Sequence, residues 1–293
     1  MIDKLLGAYF LEKGKLSPEQ IKQIEQVQAQ VRVKLGLIAV SEKLMTNEQA
    51  DEVNRLQSVM DKRFGDIAVE KGYLTEDQVS RLLGLQGNGY LSFVQTVIDN
   101  GMMALHEIEE GLIDYQKEKG FTASDIDALK SDDSDRIVPL FLPQDIDKYQ
   151  KEHILGAFRA VTRLICNGAC VSKAYKAESM KANAFASQGL DGEKKASLTF
   201  VGEGNNLNAI ADKFAGETFE EVDLDSLDAV AEFINCINGM YATKVAPDLN
   251  VDMLPPAYKA EACELTGDMV VLPIYIGEKK VELVSTFGQI VNY

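Results

Sequence analysis

Glu232 and Asn235 have the types and the spacing to do chemistry together. They stand three residues apart in the stretch AEFINCING, residues 231–239, so a helix would carry the carboxylate and the amide on one side. A carboxylate can pair with a cation, and an amide donates and accepts hydrogen bonds at once, which suits the positioning of a water molecule. Exposed helix faces also carry such pairs by chance, so the meaning of this pair depends on the elements around it.

A helix predicted over residues 226–243 must position the pair. At about 100° per residue its apolar residues form a stripe narrower than about 90°, made of Leu227, Val230, Ile234, Ile237 and Tyr241. Glu232, Asn235 and Gly239 fall within about 60° of one another on the opposite side. A glycine costs about 1 kcal/mol relative to alanine inside a helix, so Gly239 suggests that another molecule approaches closely. A convex face of this kind suits a macromolecular partner better than a small substrate.

The composition is that of an ordinary globular chain. Its 293 residues, 46% apolar and 26% charged, allow about two domains with proper cores. No apolar run approaches the roughly 20 residues of a membrane span, and the N-terminal sequence lacks the features of a secretory signal, so we expect a cytoplasmic protein. The net charge of −16 repels phosphate backbones, which disfavours nucleic acid as a partner.

The cysteine and histidine content disfavours several kinds of catalytic centre. His106 and His153 are the two histidines, and they lie too far apart in sequence to suggest a metal site or a histidine-dependent triad. The cysteines form no C-x-x-C pair and are predicted to be reduced core thiols; they are Cys166, Cys170, Cys236 and Cys263. We therefore expect no metal or cofactor of the chain's own.

The first third of the chain repeats itself with a period of 29 residues. Three units of 24 residues start at positions 5, 34 and 63, and a more degenerate fourth copy starts at 92. The second and third read KLGLIAVSEKLMTNEQADEVNRLQ and RFGDIAVEKGYLTEDQVSRLLGLQ. Each unit reads as two helices around a turn, so residues 1–116 are predicted to form an all-α helical repeat domain.

Residues at equivalent positions of the units are typical of helix starts and turns. Three units have a hydroxyl residue followed three positions later by glutamine, the pattern of a capping box: Ser17 and Gln20, Thr46 and Gln49, Thr75 and Gln78. A glycine, which turns cheaply because it lacks a Cβ, precedes the second helix at Gly14, Gly72 and Gly101. The second unit has Lys43 at that position, and the fourth unit has Ala104 at the cap, so we expect the last helix to fray more readily.

The second and third units resemble the MshEN domain of secretion and pilus ATPases. The shared pattern is R-L-G, two apolar residues, a later glycine and a glutamine at position 24, in two motifs separated by five residues. In that family such a pair binds the bacterial messenger cyclic di-GMP. The resemblance implies cyclic di-GMP as a ligand, with Lys34, Leu35, Gly36 and Gln57 contributing from the second unit and Arg63, Phe64, Gly65 and Gln86 from the third.

Several positions depart from this pattern. Lys34 replaces the first arginine, and lysine is a point charge that cannot make the planar bidentate and stacking contacts of a guanidinium. Phe64 stands for a leucine, and units one and four have Leu5 and Ser92 where the arginine belongs. The alternative is a degenerate repeat that serves as a helical scaffold for partner proteins.

Residues 117–147 are predicted to be a linker. The tract KSDDSD at 130–135 is acidic, and IVPLFLPQDID at 137–147 contains two prolines, which exclude a regular helix. Residues 148–293 then show helical periodicity at 148–168, a strand at 195–202, helices at 206–216 and 226–243, and two terminal strands joined at GEKK. This order predicts an α+β fold with helices on one face of a sheet.

The C-terminal domain resembles the CheX branch of the CheC/CheX/FliY chemotaxis phosphatases. The resemblance is carried by E-x-x-N-x-I-x-G at 232–239, a Leu-Pro segment after that helix, and the terminal hairpin. In that family the helix docks on a phosphorylated response-regulator receiver domain, which supplies the magnesium. The resemblance implies that Asn235 orients the attacking water and that Glu232 pairs with the receiver's lysine.

The CheC branch carries two such helices. Here the earlier helix has Arg163 and Cys166 where Glu232 and Asn235 stand, so a single site of the CheX kind is expected, and a homodimer is possible. The sequence thus favours an enzyme that dephosphorylates an aspartyl phosphate, regulated by cyclic di-GMP. The alternative is a non-enzymatic adaptor, responsive to cyclic di-GMP or a plain scaffold, that binds receiver or motility proteins.

Overall fold

A computed structural model describes residues 1–28, 30–57, 59–60, 62–244 and 250–293 of the chain. The chain divides into two compact units, Met1–Asp132 and Asp133–Tyr293. The described residues of the first unit form helices and turns, and the second unit adds an antiparallel sheet. In the described part of the chain, no helix is both long and apolar enough to cross a membrane.

The first eight helices of the first unit form four pairs, and a ninth helix follows them. They are α1 (Ile2–Glu12), α2 (Pro18–Gln28), α3 (Leu35–Ser41), α4 (Asn47–Gln57), α5 (Phe64–Glu70), α6 (Glu76–Gly84), α7 (Gly89–Asp99), α8 (Leu105–Lys119) and α9 (Ala123–Lys130). The second helix of each pair begins at residue 18, 47, 76 or 105, which keeps the 29-residue spacing of the sequence.

All three predicted capping boxes are confirmed. The glutamine Oε1 of each accepts the N–H of the cap residue at 2.8 Å, and the cap hydroxyl accepts the glutamine N–H at 3.2 to 3.3 Å. At the fourth unit Glu107 supplies half of such a box, because its carboxylate accepts the N–H of Ala104 at 2.7 Å. These bonds satisfy amides that a helix start leaves without an internal partner.

The turn inside each unit contains one residue in the left-handed region. Gly14, Gly72 and Gly101 have φ of 68°, 72° and 63°, and Lys43 has φ of 58°. The repeat therefore imposes the glycine conformation on a lysine, which costs an L-residue roughly 1–2 kcal/mol.

The segment 117–147 differs from the expected linker because it contains short helices. The helix α8 extends to Lys119, α9 follows, and α10 (Ser134–Ile137) leads into a 3₁₀ turn at Val138–Phe141. Local capping explains the difference: Thr122 accepts the N–H of Asp125 at 3.2 Å at the start of α9. Apolar side chains of these helices are also buried, among them Ile126, Leu129, Ile137 and Val138.

In its described residues, the second unit combines α10, α11 (Lys148–Ala160), α12 (Asn208–Ala215) and α13 (Leu224–Lys244) with eight strands. The strands are β1 (Cys170–Val171), β2 (Tyr175–Ala182), β3 (Ala184–Asp191), β4 (Ala196–Gly202), β5 (Asp252–Met253), β6 (Ala257–Lys259), β7 (Cys263–Ile276) and β8 (Lys279–Phe287). Their order in the sheet is β1-β7-β8-β4-β3-β5, with β2 also paired to β7 and β6 to β3. The predicted hairpin is confirmed, since Ile276 lies opposite Lys279 across the turn.

Helices of the second unit pack on this sheet. The helix α13 lies against β3 and β4, and α11 lies against α13 and β8. Phe233 of α13 stacks on Phe200 of β4, with 5.9 Å between the ring centroids. The α+β class predicted for this half of the chain is confirmed.

Two features of the second unit were not expected. The strands β2 and β3 occupy a stretch to which the sequence analysis assigns no element; β2 is largely exposed, and β3 reads AFASQGLD, with few of the β-branched residues typical of strands. The cysteines form no disulfide; three are half-buried, Cys263 among them packed against a hydrophobic cluster, and Cys236 is exposed. The prediction of core thiols is therefore wrong for Cys236, which lies on the outer side of α13, and none of the other three is fully buried.

Candidate functional site

The helix α13 separates a buried stripe from an exposed face, as predicted. Every residue of the apolar stripe, from Leu227 to Tyr241, is buried. Glu232 is exposed, whereas Asn235 and Gly239 are half-buried. A Cβ added at Gly239 would meet nothing within 4 Å, so this part of the face is open to an approaching molecule.

The amide of Asn235 is held from beneath by a residue of the sheet. Its Oδ1 accepts a hydrogen bond of 2.9 Å from Nε2 of Gln188, in β3. The same Nε2 donates to the backbone oxygen of Leu254 at 2.9 Å. Asn235 is therefore a fixed group and not a freely rotating surface side chain. Sequence reasoning missed Gln188, and no local signal pointed to it, because its strand was not predicted.

Further buried polar groups continue from Gln188 into the core. Oε1 of Gln188 accepts Nδ2 of Asn238 at 2.9 Å, and Oδ1 of Asn238 lies 2.7 Å from Nε2 of His153, in α11. Burial lowers the pKa of His153 to about 4, so the ring is neutral near pH 7. Four polar side chains, from α11, α13 and β3, thus form one connected set.

The exposed face around Glu232 is acidic and partly apolar. Asp228, one turn earlier, accepts a hydrogen bond of 3.1 Å from the hydroxyl of Tyr258, which raises the pKa of that tyrosine. Leu224 and Met240 are 61% and 49% exposed. Protein-binding faces place apolar groups within a polar rim, and this surface carries groups of both kinds.

The earlier helix lacks an equivalent pair. Arg163 is exposed in a π-helical turn at Val161–Ile165, and Cys166 follows that turn in an extended conformation. This earlier helix therefore offers a guanidinium and a thiol where α13 presents a carboxylate and an amide, so it cannot act in the same way.

A second candidate site is a cavity of about 890 Å³ in the first unit. Its lining includes all of the residues implied by the MshEN resemblance: Lys34, Leu35, Gly36, Gln57, Arg63, Phe64, Gly65 and Gln86. The volume lies in the range of roughly 300–1,000 Å³ that is usual for small-molecule pockets. Positions 29 residues apart in sequence are thus brought to one concave surface.

Both glycines of this cavity lie where an added side chain would crowd its neighbours. A Cβ on Gly36 would lie 3.0 Å from the Phe64 ring, and one on Gly65 would lie 2.8 Å from Cγ1 of Val79 and 3.6 Å from Cδ2 of Leu35. Leu35 and Phe64 occupy equivalent positions, so each reaches toward the glycine of the other unit. A Cβ on Gly36 would thus crowd the next unit and one on Gly65 would crowd its own unit, so packing disfavours a larger residue at both positions.

The cations of the cavity are arranged differently from the expectation. The ammonium of Lys34 pairs at 2.9 Å with Asp99, a residue that does not line the cavity. Sequence reasoning missed Arg32, which also lines the cavity and donates from Nε to Oε1 of Gln86 at 3.1 Å. Arg32 and Arg63 thus give this cavity two guanidinium groups. Across the described residues, no group of three or more His, Cys, Asp or Glu side chains could hold a metal ion.

No family model matches the chain, and no curated protein matches it. A CheC-like superfamily protein from Shewanella sp. PV-4 is 17% identical over 49% of this chain and 100% of that chain, with a TM-score of 0.43. A CheX chemotaxis protein from Desulfovibrio desulfuricans is 14% identical over 48% of this chain and 99% of that chain, with a TM-score of 0.41.

A third similar structure is a CheX–CheY–BeF3–Mg2+ complex from Borrelia burgdorferi, 14% identical over 50% of this chain and 99% of that chain, with a TM-score of 0.37. The likeness to CheX- and CheC-like proteins is thus found over about half of the chain. The MshEN resemblance of residues 34–86 stays a prediction.

Proposed function

We propose that the chain dephosphorylates the aspartyl phosphate of a response-regulator receiver domain. The observation that carries this proposal is the geometry of α13: Glu232 is exposed, Asn235 is half-buried and held by Gln188, and both lie on one convex face. The open surface at Gly239 leaves room for a partner. The E-x-x-N pattern of the sequence supplies the class of that partner.

The reaction needs a water molecule placed in line with the bond that breaks. The water oxygen forms a bond to phosphorus, while the bond between phosphorus and the receiver's aspartyl oxygen breaks and its electron pair leaves with the carboxylate. The protons of the water pass to the product phosphate and to solvent. Asn235 binds and orients this water, because an amide both donates and accepts hydrogen bonds.

Glu232 has a separate role in docking. It pairs with a lysine of the receiver, and the pair loses contact with water when the surfaces meet. A divalent cation held by the receiver would neutralise the charge that develops on the phosphoryl group. Substitution of Asn235 is therefore expected to lower the rate of dephosphorylation, whereas substitution of Glu232 is expected to weaken binding of the receiver.

The test is the decay of a CheY receiver domain phosphorylated with acetyl phosphate in the presence of Mg2+. The wild-type chain should accelerate the decay. Glu232→Ala should weaken binding to the receiver loaded with beryllofluoride, whereas Glu217→Ala, which removes an exposed carboxylate elsewhere in the unit, should not. Binding without any acceleration would instead establish the adaptor alternative.

The cavity of the first unit favours a second function, the binding of cyclic di-GMP. Arg32 and Arg63 line the cavity together with Gln57 and Gln86. Guanidinium groups bind phosphate or guanine through paired hydrogen bonds and stack on bases, and Arg32 offers the planar cation that Lys34 cannot. We expect micromolar affinity or better by calorimetry, and repeating the decay assay with cyclic di-GMP tests regulation. Absence of heat and of a thermal shift would leave the scaffold alternative.

A further inference from the structure

We propose that Gln188, Asn238 and His153 are positioning residues that determine which atom of Asn235 faces the partner. We call these three side chains the amide relay. They are 2%, 0% and 1% exposed, so none can touch a receiver that docks on α13. This inference rests on the proposed function of Asn235.

The direction of every hydrogen bond in the relay follows from one backbone group. The carbonyl oxygen of Leu254 can only accept, so the group of Gln188 that lies 2.9 Å from it is the donor Nε2. That assignment turns Oε1 of Gln188 toward Asn238, which must donate through Nδ2, at 2.9 Å. Oδ1 of Asn238 then faces His153 at 2.7 Å, and the histidine must donate.

The state of His153 agrees with this direction. A neutral imidazole carries its proton on one nitrogen, and burial keeps this ring neutral near pH 7, because its pKa is lowered to about 4. The proton is therefore on Nε2, and Nδ1 is buried without a hydrogen-bond partner among the described residues. Stacking on Tyr241, with 4.3 Å between the ring centroids, holds the plane of the ring.

The other end of the relay fixes Asn235. Because Nε2 of Gln188 is the donor, Asn235 accepts through Oδ1 at 2.9 Å. Its Nδ2 group is thereby turned away from Gln188 and has no hydrogen-bond partner among the described residues, so both N–H bonds are left for a water molecule or a phosphoryl oxygen. One lone pair of Oδ1 also stays free. The carbonyl of Leu254, in the segment after α13, thus sets the orientation of the Asn235 amide through Gln188.

The test replaces Gln188 with methionine, which keeps the length of the side chain but removes both hydrogen-bonding groups. We expect the maximal rate of CheY dephosphorylation to fall by roughly 10- to 100-fold, as a misplaced reacting group costs, with half-saturation by the phosphorylated receiver changed less than about two-fold. In the Asn235→Ala background the same substitution should cause no further loss. The matched control is Ser187→Ala, because Ser187 is the neighbouring residue of β3 and pairs with Thr199 at 2.7 Å, away from the relay.

A second measurement does not depend on activity. The side-chain amide signal of Asn235 is assigned in ¹⁵N spectra by its loss in Asn235→Ala. Gln188→Met should shift and broaden it, His153→Leu should do so more weakly, and His153→Gln should restore it by supplying an N–H donor. Ser187→Ala should leave it unchanged.

These readouts separate the two proposals. A wild-type chain that does not accelerate decay removes the proposed function, while the amide signal still decides whether the relay holds Asn235. The relay is overturned by an unchanged Asn235 signal in Gln188→Met. It is equally overturned if Gln188→Met lowers the rate by the same factor with and without Asn235.

Discussion

The cavity of the first unit and the exposed face of α13 present their polar groups in opposite ways. The cavity is concave, and most of its lining comes from two copies of one local motif. The face is convex, and its amide is fixed by partners far away in sequence: Gln188 is 47 residues from Asn235 and 66 from Leu254. His153 is 85 residues from Asn238.

This difference shows where each site is vulnerable. The guanidinium groups of Arg32 and Arg63 belong to exposed residues, so removing either should affect a ligand but hardly affect folding. The orientation of Asn235 is linked to three buried side chains, so the role proposed for it is coupled to the core of the second unit. The comparison predicts that ligand binding and stability separate cleanly in the first unit, whereas turnover and core packing are linked in the second.

The largest effect is expected for Asn235→Ala. Removing a group that acts in the transition state typically lowers a rate by roughly 100- to 1,000-fold, and we expect the acceleration of phospho-CheY decay to fall by that factor. Stability should change by at most about 1 kcal/mol, because Nε2 of Gln188 keeps its bond to Leu254. Cys236→Ala, on the same exposed side of α13, is the control. A decay rate unchanged in Asn235→Ala would exclude this residue from the mechanism.

The next effect is an acid sensitivity that arises from the buried histidine of the second unit. Burial lowers the pKa of His153 from 6.5 to about 4, so between these pH values the unfolded chain binds a proton that the folded chain does not. Stability therefore falls as the pH is lowered from 6.5 to 4, by up to about 3 kcal/mol. Unfolding measured against pH should show a shallower fall in His153→Gln. The control is His106→Gln, which changes an exposed histidine of the first unit and should show the same fall in stability as wild type. A fall in His153→Gln as steep as that of wild type would show that His153 is not the source of the acid sensitivity.

A smaller effect is expected at the cavity. Arg63→Ala or Arg32→Ala should weaken cyclic di-GMP binding by about 1.5–3 kcal/mol, or roughly 10- to 100-fold, because each loses charge-assisted hydrogen bonds. Calorimetry of the intact chain measures this. Arg81→Ala is the matched control, since Arg81 pairs with Glu42 at 2.7 Å and does not line the cavity. Equal losses in Arg81→Ala and Arg63→Ala would mean a nonspecific charge effect.

The same contrast explains what the sequence could predict. Capping boxes, turn glycines and the cavity lining follow from spacings within or between adjacent units, and those spacings are visible in one sequence. The apolar stripe of α13 was visible for the same reason. Gln188 was not, because β3 is rich in small residues and pairs with β4, β5 and β6 through tertiary contacts that no local pattern encodes.

Arg32 and the predicted linker show a second kind of limit. Arg32 lies outside the matched motif, so motif comparison pointed to Lys34, and only the geometry shows that Asp99 pairs with the lysine. The segment 117–147 was predicted to be a linker because of its charge and its prolines. Its short helices instead follow from capping by Thr122 and from burial of its apolar residues.

The smallest effect is expected at Lys43, and it tests whether the left-handed turn residue of the other repeat units is also favoured in the second unit. Lys43 has φ of 58° where the other units have glycine with φ of 63° to 72°, and its N–H donates to Val40 at 2.9 Å, as that of Gly72 does to Val69. Lys43→Gly should relieve strain of roughly 1–2 kcal/mol, while the more flexible unfolded chain offsets part of this by about 0.4–1 kcal/mol. A net stabilisation of about 1 kcal/mol is expected, measured by denaturant unfolding. Lys43→Ala removes the same side-chain charge but keeps a Cβ, so it should leave stability nearly unchanged. A gain of equal size in both variants would attribute the effect to the charge of Lys43 and not to its backbone. A gain in Lys43→Gly alone would show that the turn geometry belongs to the repeat, whichever residue occupies it.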